Sequence, residues 1–479
     1  MKELLNAALN TAKSSGASYA DMRIVEEMKE TLLVKNGKVE MIELTEDFGF
    51  GVRTIVGGAW GFASSAELKR EQVEKTAQLS CRVAKASRKA MEKEVSLAAS
   101  RGIVDSYRTP YETDPFGVSL AKKLELLMEA EKLMRKVKGV AITEAEMLTW
   151  KTKKWFASTD GSMIDQELLG TGTQLRATAM KNGDMQVRSY PNLQGQYAAK
   201  GYELIDSLKL TDNAERVAEE AVALLSAKPC PHQQSNLILD SALTAIYIHE
   251  SVGHPTELDR VLGTEANFAG TSHLTLDKRG QFQFASPEVQ IVADATIPTG
   301  LGTFGWDDEG IEASNFHLVK DGMFVGYLTS RETAPVVEAR SNGTMRADSW
   351  KNLPLIRMTN INLLPGKGSL DEIVANTDEG FYFEGFKTVS IDDKRLNFSL
   401  GPEIGWAIKK GKRDYMVKNP VFTGISYKVW RSCDWIGGEE DWVLWGEPYC
   451  GKGEPIQVMR VGHGAPPVRF KNVLIGAKS

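Results

Sequence analysis

His249-Glu250-Ser251-Val252-Gly253-His254 sets two imidazoles around a carboxylate within six residues. That is the residue set of a hydrolytic zinc site, in which imidazoles hold Zn²⁺ and an adjacent Glu takes a proton from the water it activates. The spacing departs from the zinc-protease motif H-E-x-x-H, whose histidines stand at i and i+4; here they stand at i and i+5. At about 100° per residue, i+4 lies about 40° from the first side chain and i+5 about 140° away. A regular α-helix therefore cannot aim both rings at one ion. Gly253 removes the side-chain barrier to unusual dihedrals, and Pro255 biases His254 away from the α region. Either a π-type wide turn or a helix ending at Val252 would swing His254 back. The competing reading is a buried helix end whose histidines merely satisfy backbone groups.

A catalytic zinc usually has three protein ligands and one open position, so a third must come from elsewhere. Cys433, Cys450, His232, His273, His317, His463 and many carboxylates are available. Cys450 is the best of these on local chemistry. It sits in Tyr449-Cys450-Gly451-Lys452-Gly453, where small neighbours allow close backbone approach and Lys452 favours a thiolate.

The elements that must position these residues fall into two halves. After an amphipathic helix near the N-terminus, strands are expected at Asp21–Glu27, Thr31–Lys35, Val39–Leu44, Gly49–Ile55 and Ala59–Ala63. Lys35-Asn36-Gly37-Lys38 and Val56-Gly57-Gly58 supply the hairpin turns. Helices are expected at Glu67–Arg88, Ser119–Val137 and Asn213–Leu225, with strands at Gly139–Thr149 and Lys153–Ser158. Lys228-Pro229-Cys230-Pro231 cannot continue a helix and marks the boundary. Beyond it, the strand Ser235–Leu239 feeds a motif helix starting at Ala242. Short strands follow at Val289–Ala293, Asn315–Lys320, Gly326–Thr329, Ile356–Asn362, Phe381–Val389 and Arg395–Ser399. The fold class is α+β: an N-terminal α/β domain (1–228) with a mixed sheet and long helices, and a mainly β C-terminal domain (232–479) carrying the motif helix.

Composition narrows the function classes. With 479 residues, 42% hydrophobic, 25% charged and a net charge of −5, this is an ordinary globular chain with no basic footprint for nucleic acid. No apolar run approaches a membrane span. Asn6 and Asn10 interrupt the apolar positions of the first helix, which argues against a signal peptide. Four well-separated cysteines without a pairing pattern read as reduced thiols of a cytoplasmic protein.

His249-Glu250-x-x-x-His254 near mid-chain, Met358-Thr359-Asn360 followed by Leu364-Pro365-Gly366, and Cys450-Gly451-Lys452-Gly453 together resemble the TldD/PmbA family of metallopeptidases. The likeness spans essentially the whole length. It implies one zinc held by His249, His254 and Cys450, with Glu250 as catalytic base. It also implies a dimer enclosing the active site in a cavity. Because this chain keeps the metal motif it is similar to the TldD-like subunit, paired with itself or with a metal-free PmbA-like paralogue. The expected reaction is hydrolysis of unfolded or short polypeptides by zinc-activated water. The Cys ligand makes the ion a weaker Lewis acid than a His₃ set would, which suits a slow or narrowly used hydrolase. His463 and Arg346 are candidates to face the substrate or stabilise its oxyanion, and Arg331, Arg346 and Lys351 to hold acidic groups of a peptide, against the competing reading of ordinary surface charge. The alternatives are a zinc amidase or deformylase acting on small amides, and a non-catalytic partner-binding subunit.

Overall fold

The computed structural model describes residues 1–267 and 270–477. Its N-terminal half is one sheet of eight strands: β1 (Tyr19–Lys35), β2 (Lys38–Val56), β3 (Ala59–Ser65), β4 (Val104–Arg108), β5 (Val140–Ser158), β6 (Met163–Lys181), β7 (Asp184–Tyr190) and β8 (Gln196–Ala198). They run in the order β3-β2-β1-β5-β6-β4, with β7 and β8 also on β6. Every pairing is antiparallel except β4 with β6, so the sheet is mixed, as expected. Asn36 and Gly37, at φ 48° and 78°, make the β1–β2 turn in the left-handed conformation that an Asn-Gly pair favours.

Several expected strands are halves of longer ones. Asp21–Glu27 and Thr31–Lys35 are one strand, Val39–Leu44 and Gly49–Ile55 another, and Gly139–Thr149 and Lys153–Ser158 a third. The reason is that each long strand serves two cores. Ala20, Met22 and Ile24 of β1 pack with helices Lys2–Ser14 and Arg70–Ser87. Leu32 and Val34 of the same strand pack with helices Leu120–Lys136 and Leu210–Ser226. The charged stretch between them holds no Gly, Pro or Asn to turn the chain, and it faces the C-terminal half instead. Glu27 there pairs with Arg460 at 2.9 Å, and Lys154 of β5 pairs with Asp308 at 3.1 Å.

The C-terminal half is mainly β. Its large sheet runs Glu379–Ile391, Gln233–Leu239, Val468–Ile475, Phe422–Ile425, Asn397–Lys409, Lys412–Lys418 and Lys228–Pro229, with Cys433–Ile436 also on Val468–Ile475. Lys228–Pro229 thus belongs to the edge of this sheet, paired with Val417 and Lys418. A four-stranded sheet carries Asn315–Lys320, Ile291–Asp294 and Ile361–Leu363, and a two-stranded ribbon joins Val443–Lys452 to Gln457–Ala465. Three expected strands differ. Ile356–Asn362 is split into Leu355–Ile356, paired with Met345–Arg346, and Ile361–Leu363, paired with Ile291–Asp294. Gly326–Thr329 contributes only a bridge from Leu328 to Glu257. Arg395 lies outside its strand, which begins at Asn397, because it closes the hairpin turn at φ 58°. The core joins Leu237, Leu239, Leu243, Tyr247, Ile248 and Val252 to Phe383, Phe422, Trp430 and Phe470, so the motif helix is enclosed on all sides.

Arg188 of β7 locks the halves together. It donates to Glu220 at 2.8 Å, to Glu384 at 2.5 Å and to the fully buried Glu403 at 2.7 Å. Replacing it with alanine leaves Glu403 a buried carboxylate without its cation. Arg188→Ala is expected to cost about 3–5 kcal/mol in urea unfolding. A loss below about 1 kcal/mol would contradict this account of the interface.

Candidate metal centre

The motif helix starts at Ser241 under an Asp240 N-cap, whose carboxylate accepts from the Leu243 N–H at 2.8 Å. It ends at Ile248, where the chain widens into one π turn over His249–Gly253 and then tightens into a 3-10 turn over His254–Thr256. The His254 N–H donates to the carbonyl of His249, an i→i+5 bond that sets the second histidine beneath the first. Of the two expected exits from the α-helix, the chain takes the wide turn. Neighbouring hydroxyls take up the carbonyls this turn leaves over. Ser251 donates to the Tyr247 carbonyl, and Thr256 donates to those of Val252 and Gly253 at 2.8 and 2.9 Å.

Gly253 and Pro255 act differently from expectation. Gly253 is helical, at φ −56°, so no unusual dihedral calls for glycine. The demand is steric, because a Cβ there would fall 2.1 Å from the Met358 sulfur. His254 remains in the α region at φ −59°, ψ −44°, since Pro255 enters at the start of a new 3-10 turn where no N–H is needed.

Cys450 arrives from the ribbon Val443–Lys452, bulged between Glu447 and Cys450. The potential donor atoms of His249, His254 and Cys450 lie within 4.8 Å of one another, and all three side chains are buried. The Cys450 sulfur is 3.8 Å from His254 Nε2. His254 Nδ1 is 3.0 Å from Glu257 Oε2, an arrangement that gives the proton to Nδ1 and keeps Nε2 free for a metal. His463, on the partner strand of the ribbon, places Nε2 2.7 Å from His249 Nδ1 and so fixes the other ring. The remaining candidates stay outside. His232 bonds the Gly476 carbonyl, His273 the Lys394 carbonyl, and Cys433 the Trp435 carbonyl. His317 sits on the strand Asn315–Lys320, paired with Val292.

Electrostatics favour a thiolate beside a neutral imidazole. Burial pushes the Cys450 thiol up, but His249, Arg357 and His254 hold it well below the ordinary cysteine value. Burial likewise opposes charge on His249, yet Cys450 lifts that ring to about 9. Burial drives His254 well below the ordinary imidazole value. Lys452, expected to favour the thiolate, instead points at Asp259 (2.7 and 2.8 Å), the Ile356 carbonyl (2.7 Å) and Glu257 (3.5 Å). Its role is taken by Arg357, which donates to the Cys450 carbonyl. Cys433, by contrast, is pushed up to about 12 by burial and is a plain thiol.

Glu250 is partly exposed at the edge of this cluster. Arg395 holds its Oε2 at 2.5 Å. Glu447, three residues before Cys450, is buried and pushed up to about 7 by that burial, with His249 opposing the rise. Of the substrate-facing candidates, His463 lies inside the cluster. Arg346 lies outside it, donating to the Met358 carbonyl at 2.9 Å. Arg331 is tied to the Ala98 carbonyl and Asp160, a structural role. Glu257, Arg395 and Glu447 were not singled out from the sequence. Only Glu257 carries a local signal, as a carboxylate three residues past a candidate ligand on a helical path.

Two imidazoles and a thiolate converging beside a carboxylate, in an α+β chain, define a metal-dependent hydrolase. Sequence profiles agree. Those described as "PmbA/TldA metallopeptidase domain 1", "central domain" and "C-terminal domain" match residues 20–84, 113–225 and 232–477. A metalloprotease of Methanocaldococcus jannaschii is 30% identical over 459 residues, covering 94% of this chain and 95% of that protein. The zinc metalloprotease TldD homolog of Saccharolobus solfataricus is 20% identical, covering 98% of each. The crystal structure of TldE from Thermococcus kodakarensis has the same fold, with a TM-score of 0.76 at 17% identity over 99% of this chain and 100% of that one. The chain belongs to the PmbA/TldD family of metallopeptidases.

Two outcomes follow from the geometry. Glu257→Gln keeps a hydrogen-bonding group but loses the charge that orients His254, and zinc affinity is expected to fall about 10–100-fold, measured by chelator competition. Gly253→Ala is expected to lose zinc through the Met358 clash and to regain it in Gly253→Ala/Met358→Ala. No loss in the single variant would refute the steric reading.

Proposed function

We propose that this chain is a zinc-dependent peptidase that hydrolyses short or unfolded polypeptides, with His249, His254 and Cys450 as ligands and Glu250 as general base. The observation that carries this is the convergence of those three donors within 4.8 Å beside Glu250. The donor chemistry suits zinc: a thiolate, a neutral imidazole oriented by a carboxylate, and a set of three that leaves a position open. When bound, zinc supplies Lewis acidity and lowers the pKa of a coordinated water toward ~7.

The chain's own residues then do the following. Glu250 takes a proton on Oε1 while Arg395 fixes the carboxylate through Oε2. The same Glu250 oxygen returns the proton to the leaving amine. Glu257 and His463 hold the two rings in place, so ligand positions do not have to be organised during the reaction. The donors are 3–6% exposed, which restricts access to chains that can be threaded in and excludes folded proteins.

A partner subunit belongs to the same reading, either a second copy or a metal-free relative. Between Lys38 and Gly49, β2 pairs on one side only among the described residues, and Val39, Met41, Ile42 and Leu44 there are 41–58% exposed. Four free cysteines, and no helix among the described residues long and apolar enough to cross a membrane, suit the cytoplasm.

Metal analysis and hydrolysis of an unfolded protein test the reading together. Glu250→Gln is expected to keep zinc and lose about 10²–10⁴-fold in rate. His249→Ala, His254→Ala and Cys450→Ala are expected to lose zinc. Undiminished hydrolysis by Glu250→Gln would remove it as the base, and cleavage of small amides alone would point to an amidase.

A further inference from the structure

A cavity of about 400 Å³ opens between the halves of the molecule, within the ~300–1,000 Å³ typical of small-ligand sites. The β1–β5 face forms one wall, with Trp150 and Lys29. The other comes from Arg346, Lys351, Tyr449 and Met459. This second wall shares the Val443–Lys452 strand with the metal centre, although none of His249, Glu250, His254 and Cys450 lines the cavity itself. Tyr449 precedes Cys450, and Met459 is the cross-strand partner of Cys450. Arg346 bonds the carbonyl of Met358, whose sulfur packs on Gly253 of the π turn.

Arg346 is the anomaly. It is 7% exposed and its guanidinium lies 5.3 Å over the Phe304 ring, yet among the described residues it makes no ion pair and one hydrogen bond, to a backbone carbonyl. Two other cations of the cavity, both partly buried, are paired: Lys154 with Asp308 at 3.1 Å, and Arg460 with Glu27 at 2.9 Å. Asp308, also bonded by the Ala347 N–H at 2.7 Å, acts on Arg346 through its charge but makes no ion pair with it. Burial, followed by the neighbouring Arg357, pulls Arg346 down to about 10. The planar fork of an arginine matches a carboxylate, and a cation lining a cavity without an ion partner is placed to receive one. Lys29 and Lys351 add positive charge with no ion partner among the described residues.

We infer that this cavity is a carboxylate-binding subsite in which Arg346 receives a peptide carboxylate while the neighbouring chain reaches the metal centre. The inference rests on the peptidase reading and adds a specificity to it. The carboxylate has two sources, the C-terminus of a short peptide or an Asp or Glu side chain. Trp150, Leu169 and Leu301 in the same cavity supply apolar surface for the flanking residue.

The test is calorimetric titration of the zinc-loaded Glu250→Gln protein, with and without Arg346→Gln. The probes are Ala-Ala-Ala as the free acid, its C-terminal amide, and acetyl-Ala-Glu-Ala amide. The change in tryptophan fluorescence that is lost on Trp150→Phe is a second readout of occupancy. One charge-assisted pair corresponds to about 10–100-fold in affinity. Arg346→Gln should therefore weaken the free acid by that factor and leave the tripeptide amide unchanged, if the C-terminus is the source. The same selective loss for the Glu-containing peptide alone would assign the site to side chains. Equal losses on all three probes would show a packing role and overturn the inference. So would an Arg346-containing protein that binds the tripeptide amide as tightly as both carboxylates, whatever the variant's folding. Hydrolysis by wild type is scored separately. Carboxylate binding without cleavage fails the peptidase reading but keeps the subsite, and cleavage without carboxylate preference does the reverse.

Discussion

The bond from the His254 N–H to the His249 carbonyl is the constraint on which the site depends. It inserts one residue into a helical turn, and in doing so converts a spacing that would splay two imidazoles into one that brings them edge to face. Ring centroids 4.8 Å apart at 86° put both within reach of Cys450. Everything around the turn is consistent with that single widening. Ser251 and Thr256 absorb the misplaced carbonyls, and Tyr247 stacks on Trp430, whose indole N–H donates to Ser251 at 2.8 Å. The turn is therefore built into the core. Interrupted helices of this kind concentrate at functional sites because packing elsewhere supplies what the irregular turn loses.

The second organising feature is the way charge is arranged around the donors. Charges of opposite sign are neighbours throughout: Arg357 and the imidazoles beside the Cys450 thiolate, Glu257 beside His254, and Lys452 and Arg260 beside Glu257 at 3.5 and 3.7 Å. Lys452 links Glu257 to Asp259, so the carboxylate that orients His254 is itself held from behind. In a medium of low polarity such pairs are strong only when each member is satisfied. Arg346 lies outside this network, bonded to the Met358 carbonyl and packed over Phe304.

The chemistry was more legible in the sequence than the geometry. His249, Glu250 and His254 identify themselves by type and closeness, and Cys450 by its small neighbours. The hairpin at Asn36-Gly37 was equally readable, because its dihedrals are a local property. Strand continuity was not. The charged middle of β1 looks like a break on hydrophobic alternation, yet it is held straight by two separate helical layers and by Arg460 in the other half. The same holds for Gly253, whose reason lies more than one hundred residues away in Met358. Arg395 and Glu447 reach the site through a hairpin turn and a strand bulge, neither of which leaves a mark near residue 250.

X-ray absorption at the zinc edge of the purified protein tests the central claim most directly. Two imidazole nitrogens at about 2.0–2.1 Å and one sulfur at about 2.3 Å, with one remaining light-atom ligand, is the predicted first shell. A shell without sulfur, or one with four protein donors and no exchangeable position, would contradict a catalytic His₂Cys centre.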